Sequence, residues 1–73
     1  MKYAVVLSRD DEGHWLASVP AFPGCHTYGS TRDEALANAR EAVEGCIESL
    51  RESGDPIPEE TSPPEIEFVQ AAL

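Results

Sequence analysis

A chain of 73 residues is long enough for one domain with a thin core, since a domain of this size buries only about 60% of its unfolded surface. Five basic residues stand against fourteen acidic ones, and the resulting net charge of −9 argues against direct binding to nucleic acid. No apolar run approaches the roughly 20 residues that cross a bilayer. We expect a single cytoplasmic domain over residues 1–73, with free thiols and with oligomerisation as its added source of stability.

Three short strands are predicted in the first part of the chain, where apolar and polar residues alternate. They are Lys2–Arg9, His14–Val19 and Cys25–Tyr28. A polar turn with a glycine at residues 10–13 joins the first two strands. Pro20 ends their pairing because proline has no N–H group to donate, and a second turn follows through Gly24. These signals predict a three-stranded antiparallel meander.

One amphipathic helix is predicted from Thr31 to a stop at Gly54. Thr31 and Glu34 match a capping box, in which the hydroxyl and the carboxylate satisfy amides of the first turn. Apolar residues then recur at spacings of three and four. The stripe comprises Leu36, Ala39, Val43, Ile47 and Leu50, widened by Ala35, Ala42 and Cys46. Gly45 lies in the helix interior, and we interpret it as a packing position where a small residue permits close approach.

The last part of the chain is predicted to hold a surface connector and a final strand. Ser53–Pro64 is rich in proline and has no periodicity, whereas Glu65–Val69 alternates again. The expected architecture is therefore α+β in the order β-β-β-α-β, with the helix packed on one face of the sheet. An uncovered apolar edge strand invites pairing, so we predict a homodimer or higher oligomer through Ile66, Phe68 and Val69.

The sequence offers no catalytic or metal-binding constellation, so we expect a non-enzymatic protein without cofactor or metal. Cys25 and His26 are adjacent, but consecutive strand residues point to opposite faces of a sheet. The two cysteines and two histidines lack the close pairs of a structural zinc site. The acidic cluster at residues 10–12 is ordinary for a turn. A small enzyme that uses Cys25 as its nucleophile is the alternative from another functional class.

Four glutamates fall on one face of the predicted helix. They are Glu41, Glu44, Glu48 and Glu52. Like-charge neighbours four residues apart on a helix are unfavourable by a few tenths of a kcal/mol, and a basic partner would relieve this repulsion. From Thr31 onward the chain carries three basic and eleven acidic residues. The face is either a docking surface for a basic protein or a solvated surface that keeps a small domain soluble.

Several residues of one segment fall in the register of a known motif. They are Pro20, Pro23, Gly24, Cys25, Gly29, Thr31, Glu34 and Ala35. This pattern, with its flanking strand and helix, covers roughly Lys2–Pro58 and resembles the HicB family of type II antitoxins. Ala21 stands where that family often has an acidic residue.

The resemblance implies a partial ribonuclease-H-like domain that neutralises a small, basic, RNA-cleaving toxin of the HicA type by direct contact. Longer relatives append a helix-turn-helix or ribbon-helix-helix module that binds the operator, and residues 1–73 show neither pattern. We therefore expect a HicB-like domain without a DNA-binding module. The alternative is an orphan oligomeric module that has the same fold and no toxin partner.

Overall fold

The computed structural model describes residues 1–60 and 63–73, and within them it contains three strands and one helix. The elements are β1 (Val6–Arg9), β2 (Trp15–Ser18), β3 (His26–Gly29) and α1 (Arg32–Ser53). The strands form an antiparallel sheet in the order β1-β2-β3, and α1 packs on one face of it against β2 and β3. The predicted α+β meander with one helix is confirmed, although β1 and β2 are shorter than expected and β3 begins one residue later. In the described residues, no helix has the length and apolarity needed to cross a membrane.

The turn between β1 and β2 is organised by Asp10. Its carboxylate accepts hydrogen bonds from the amides of Glu12 and His14, at 2.9 and 2.8 Å, and Gly13 supplies a positive φ of 87°. The amide and ring of His14 and the amide of Glu12 hold the pKa of Asp10 below its ordinary value. This part of the acidic cluster therefore builds the hairpin.

The loop between β2 and β3 consists of two consecutive tight turns. The amide of Phe22 donates to the carbonyl of Val19 at 3.0 Å, and the amide of Cys25 donates to the carbonyl of Phe22 at 2.9 Å. Pro23 and Gly24 are the central residues of the second turn. Gly24 has a φ of 82°, which a type II turn requires at that position and which favours glycine.

These turns direct Phe22 into the core. Pro20 is the second residue of the first turn, where its fixed φ is favourable. Phe22 is only 5% exposed and meets the ring of Tyr3 edge to face, with 4.9 Å between ring centroids. The motif residues of this loop thus shape the backbone so that one aromatic side chain fills the space between sheet and chain start.

Small residues form the face of α1 that lies on the sheet. Ala35 and Ala39 are 0% and 1% exposed, whereas Leu36, Val43 and Ile47 are only half-buried. The fully buried core comprises Ala17, Val19, Phe22, Cys25, Ala35 and Ala39. Alanine allows the helix axis to approach the sheet closely, so the large residues of the predicted stripe lie along the flank of the contact and remain partly open.

Gly29 is the point of closest approach between β3 and α1. A Cβ atom on Gly29 would lie 2.6 Å from the backbone nitrogen of Ala35 and 2.9 Å from the carbonyl carbon of Glu34. Gly45, by contrast, is exposed and has no atom within 4 Å of such a Cβ. The interpretation of Gly45 as a packing position is therefore wrong, because that position faces away from the sheet.

Both ends of α1 are capped as the sequence predicts. The hydroxyl of Thr31 accepts from the amide of Glu34 at 3.1 Å, and the Glu34 carboxylate accepts from the amide of Ser30, one residue before the cap. Gly54 ends the helix in the left-handed region with a φ of 75°. Its amide and the next one return to carbonyls of the last turn, as in a Schellman motif.

The predicted last strand, Glu65–Val69, does not form in this chain. Residues 63–73, which we call the tail, contain neither strand nor helix and are exposed throughout. A strand needs a neighbour to satisfy its N–H and C=O groups, and no described segment pairs with the tail. The connector before it is held to the chain start, where the Tyr3 hydroxyl donates to the carbonyl of Pro58 at 2.6 Å.

Candidate partner-binding surface

The four glutamates of the predicted docking face, which we call the acidic row, all lie exposed on α1. They are Glu41, Glu44, Glu48 and Glu52. Arg40 forms an exposed ion pair with Glu44 at 3.7 Å between Nε and Oε2, and such pairs contribute little to stability. The acidic row is thus solvated in the free chain, and its carboxylates are open to a cationic partner.

A groove runs beside the acidic row, between α1 and the first residues of the chain. Its volume is about 970 Å³. The apolar lining comprises Met1, Tyr3, Val5, Leu36, Ala39, Val43 and Ile47. Arg40, Arg51 and three members of the acidic row, Glu41, Glu44 and Glu48, also line it, whereas Glu52 does not.

The groove exists because α1 covers only part of the sheet. The helix packs on β2 and β3, so the inward-facing side chains of the β1 side, such as Val5, stay half-open. The close approach of Ala35 and Ala39 leaves Leu36, Val43 and Ile47 on the flank that faces this opening. Helical spacing in the sequence places these large residues in the core and does not predict the groove. The four small residues of the stripe were the only signal of such a close approach.

The opposite face of the sheet carries a smaller depression of about 360 Å³. Its lining includes Leu16, His26 and Tyr28, with small polar residues between them. His26 is exposed on this face while Cys25 is buried on the other, so the expectation that these two side chains diverge is confirmed.

The two cysteines are free thiols inside or beside the core. Burial, followed by the neighbouring Cys46, raises the pKa of the Cys25 thiol above its ordinary value. A raised pKa disfavours the thiolate, which is the nucleophilic form. Across residues 1–60 and 63–73, no group of three or more His, Cys, Asp or Glu side chains is placed to hold a metal ion.

We expect iodoacetamide to alkylate Cys25 more slowly than Cys46 in the native protein near pH 8, because Cys25 is buried and its raised pKa lowers the fraction of reactive thiolate. The rate at Cys25 should keep rising at pH values at which the rate of an ordinary exposed thiol has levelled off. Peptide mass spectrometry of a time course measures both rates, and denatured protein is the control in which they converge. Equal native rates would instead favour Cys25 as an accessible nucleophile.

The residues of the family motif lie together around the β2–β3 loop and the start of α1. Pro20, Pro23 and Gly24 shape the turns, Cys25 and Ala35 are buried, and Gly29, Thr31 and Glu34 join β3 to the helix. They build the fold, whereas the acidic row occupies later turns of α1. The predicted contact residues Ile66, Phe68 and Val69 lie exposed on the tail.

Comparisons with known proteins agree with the resemblance noted in the sequence. A family model described as the HicB_like antitoxin of bacterial toxin-antitoxin system matches residues 3–72. A UPF0150 protein of Thermoplasma acidophilum is 44% identical over 62 residues, which cover 85% of this chain and 90% of that protein. Antitoxin HicB 1 of Photorhabdus laumondii is 38% identical over 80% of this chain, but over only 37% of its own length.

Solved structures give the same answer for the fold. The N-terminal domain of Burkholderia pseudomallei antitoxin HicB is similar with a TM-score of 0.72 at 32% identity, over 99% of this chain and 74% of that chain. The antitoxin HicB structure from the same organism matches with a TM-score of 0.70, over 48% of its length. The motif register, the meander with its capped helix and these similarities establish that the chain belongs to the family of HicB-like antitoxins of bacterial toxin–antitoxin systems.

Proposed function

We propose that this chain neutralises a small, basic, RNA-cleaving toxin of the HicA type by binding it directly, without catalysis. The observation that carries the proposal is the acidic row, four exposed carboxylates on one face of α1 in a chain of net charge −9. Membership of an antitoxin family supplies the class of partner. A toxin that binds RNA presents positive charge, which an acidic surface can cover.

The proposal predicts how the association rate depends on salt. Complementary charge accelerates encounter between proteins, and this acceleration falls as salt screens it. We therefore expect an association rate that decreases steeply with ionic strength.

Charge reversal on the helix tests the proposal. The double variant Glu44→Lys with Glu48→Lys should weaken binding of the co-expressed neighbouring toxin by at least about tenfold for each reversed charge. The matched control, Asp11→Lys with Glu12→Lys, changes the net charge equally at the β1–β2 turn and should retain most of the affinity. Titration calorimetry with the purified toxin measures both affinities.

Two outcomes would contradict the proposal. If the toxin does not co-purify with the wild-type chain, the proposed antitoxin function is contradicted. If the helix variant and the turn variant weaken binding equally, only net charge matters and the acidic row is not the docking face.

An orphan oligomeric module without a toxin is the second candidate function. The observation that favours it is the exposed apolar tail, which points to self-association and not to a cationic partner. The gene map distinguishes the two candidates, since a short reading frame for a basic protein beside this gene supports the antitoxin function and its absence supports the orphan module.

A further inference from the structure

We propose that the tail of one copy lies in the groove of a second copy, and that the exchange is reciprocal in a twofold dimer. The occupant of the groove is thus a segment of this same chain. The inference rests on the tail and on the apolar lining of the groove, whereas the proposed toxin binding rests on the acidic row.

The tail carries large apolar side chains with nothing to cover them. Ile66, Phe68 and Val69 are 71%, 92% and 93% exposed, and Leu73 is fully exposed. A soluble monomer rarely exposes such a cluster within a few residues, and clusters of this kind mark interaction sites.

The connector that precedes the tail lies beside the groove of its own copy, and no described residue of the tail lines that groove. The carbonyl of Pro58 accepts from the Tyr3 hydroxyl, and the Glu60 carboxylate accepts from the amide of Ala4 at 2.7 Å. Tyr3 also lines the groove, so the connector is fixed at the groove's rim. The radius of gyration is 14.3 Å, whereas a compact chain of this length has about 11 Å, so the chain extends beyond one compact body.

The dimensions of the tail and the groove match. The groove follows α1 from Leu36 to Arg51, a distance of about 22 Å at the rise of an α-helix. Residues 63–73 span about 35 Å when extended, which is enough to leave one copy and run along the helix of another. In an extended segment Ile66 and Phe68 lie on the same side, and that side would face Leu36, Val43 and Ile47 of the second copy.

The charges around the groove are mixed, so the apolar contact carries the exchange. The tail has two acidic residues, Glu65 and Glu67, and no basic one. Arg40 and Arg51 line the groove and can pair with them, whereas Glu41, Glu44 and Glu48 of the same lining oppose the pairing. In a twofold exchange each tail fills the groove of the other copy. The same contact therefore covers the apolar tail and the apolar groove of both copies.

The two copies repel each other as whole bodies because each carries a net charge of −9. Salt screens this repulsion and leaves the apolar contact intact. Added salt should therefore strengthen the dimer, whereas it should weaken capture of a basic toxin. This opposite salt dependence makes failure of one proposal distinguishable from failure of the other.

Sedimentation equilibrium of the full chain, from micromolar to submillimolar concentration, tests the exchange. The wild type should be a dimer, and Ile66→Ser with Phe68→Ser should raise the dissociation constant by about 100-fold or more, since each tail occurs twice. The matched control Tyr28→Ser removes an aromatic ring that is 66% exposed on the opposite face of the sheet, and it should remain a dimer.

Photo-crosslinking identifies the occupant of the groove. A photoreactive phenylalanine analogue replaces Phe68, and this protein is mixed with wild-type chain labelled with ¹⁵N. Exchange predicts cross-links from the tail to residues 36–51 in peptides of mixed isotope. A monomeric wild type, a dimer that survives the tail substitutions, or cross-links only within one chain would each overturn the proposal.

Discussion

Replacing Phe22 by alanine should unfold most of the chain or lower its free energy of unfolding by about 3–5 kcal/mol. The ring is 5% exposed and is the largest side chain of the buried core. A domain of 73 residues has a total stability of about 4–11 kcal/mol, so this loss is a large part of the whole. Urea denaturation followed by Trp15 fluorescence measures the change.

The effect should extend beyond the β2–β3 loop because Phe22 supports Tyr3. The two rings meet edge to face, and the Tyr3 hydroxyl holds the connector through the carbonyl of Pro58. The Phe22→Ala variant should therefore also increase hydrogen exchange at the amide of Ala4, which donates to the Glu60 carboxylate of the same connector.

Tyr28→Ala is the matched aromatic control for this prediction. Tyr28 is mostly exposed, so its loss should change the free energy of unfolding by less than about 1 kcal/mol. All variants are compared at one protein concentration, since the proposed dimer would make stability depend on concentration. A similar loss in both variants would mean that Phe22 does not anchor the core.

Local signals in the sequence predicted the features that depend on neighbouring residues. Thr31 with Glu34 predicted the helix start, Gly54 predicted its end, and Pro23 with Gly24 predicted the turn between β2 and β3. Each of these signals acts through backbone hydrogen bonds within a few residues. These local signals can therefore be recognised without knowledge of the rest of the chain.

The features that the sequence did not predict depend on distant contacts. The stripe of α1 was centred on its large residues, but the sheet contacts Ala35 and Ala39, because small side chains let two elements approach most closely. Hydrophobic spacing alone does not give the rotation of α1 about its own axis, so the sequence did not predict the groove. The alternation in Glu65–Val69 is that of a strand, but pairing requires a neighbouring strand, and residues 1–60 and 63–73 do not supply one.

The spacing of the glutamates in the sequence was sufficient to predict the acidic row of the candidate site. Its four carboxylates share one exposed face of α1, as a helical repeat of three and four requires. The sequence could not show that three of them line an apolar groove, because the other wall of that groove comes from residues 1–5, more than 30 positions away along the chain.

Gly29→Ala and Gly45→Ala should change stability in opposite directions. At Gly29 the new methyl group would meet backbone atoms of Ala35 and Glu34, at 2.6 and 2.9 Å, and backbone cannot yield by a change of rotamer. β3 must then move away from the start of α1, and we expect a loss of about 1–3 kcal/mol or more. At Gly45 the methyl group meets open space in mid-helix, and alanine should stabilise the helix by up to about 1 kcal/mol.

The pair forms a matched test because both changes add one methyl group to a glycine. Urea denaturation gives the two free energies, and hydrogen exchange at the amide of Glu34 reports whether the Thr31 cap has opened. We expect faster exchange there in the Gly29 variant alone. If both variants were stabilised, the close contact between β3 and α1 would be absent in solution. The small-residue face of the helix, from which the groove arises, would then lose its physical basis.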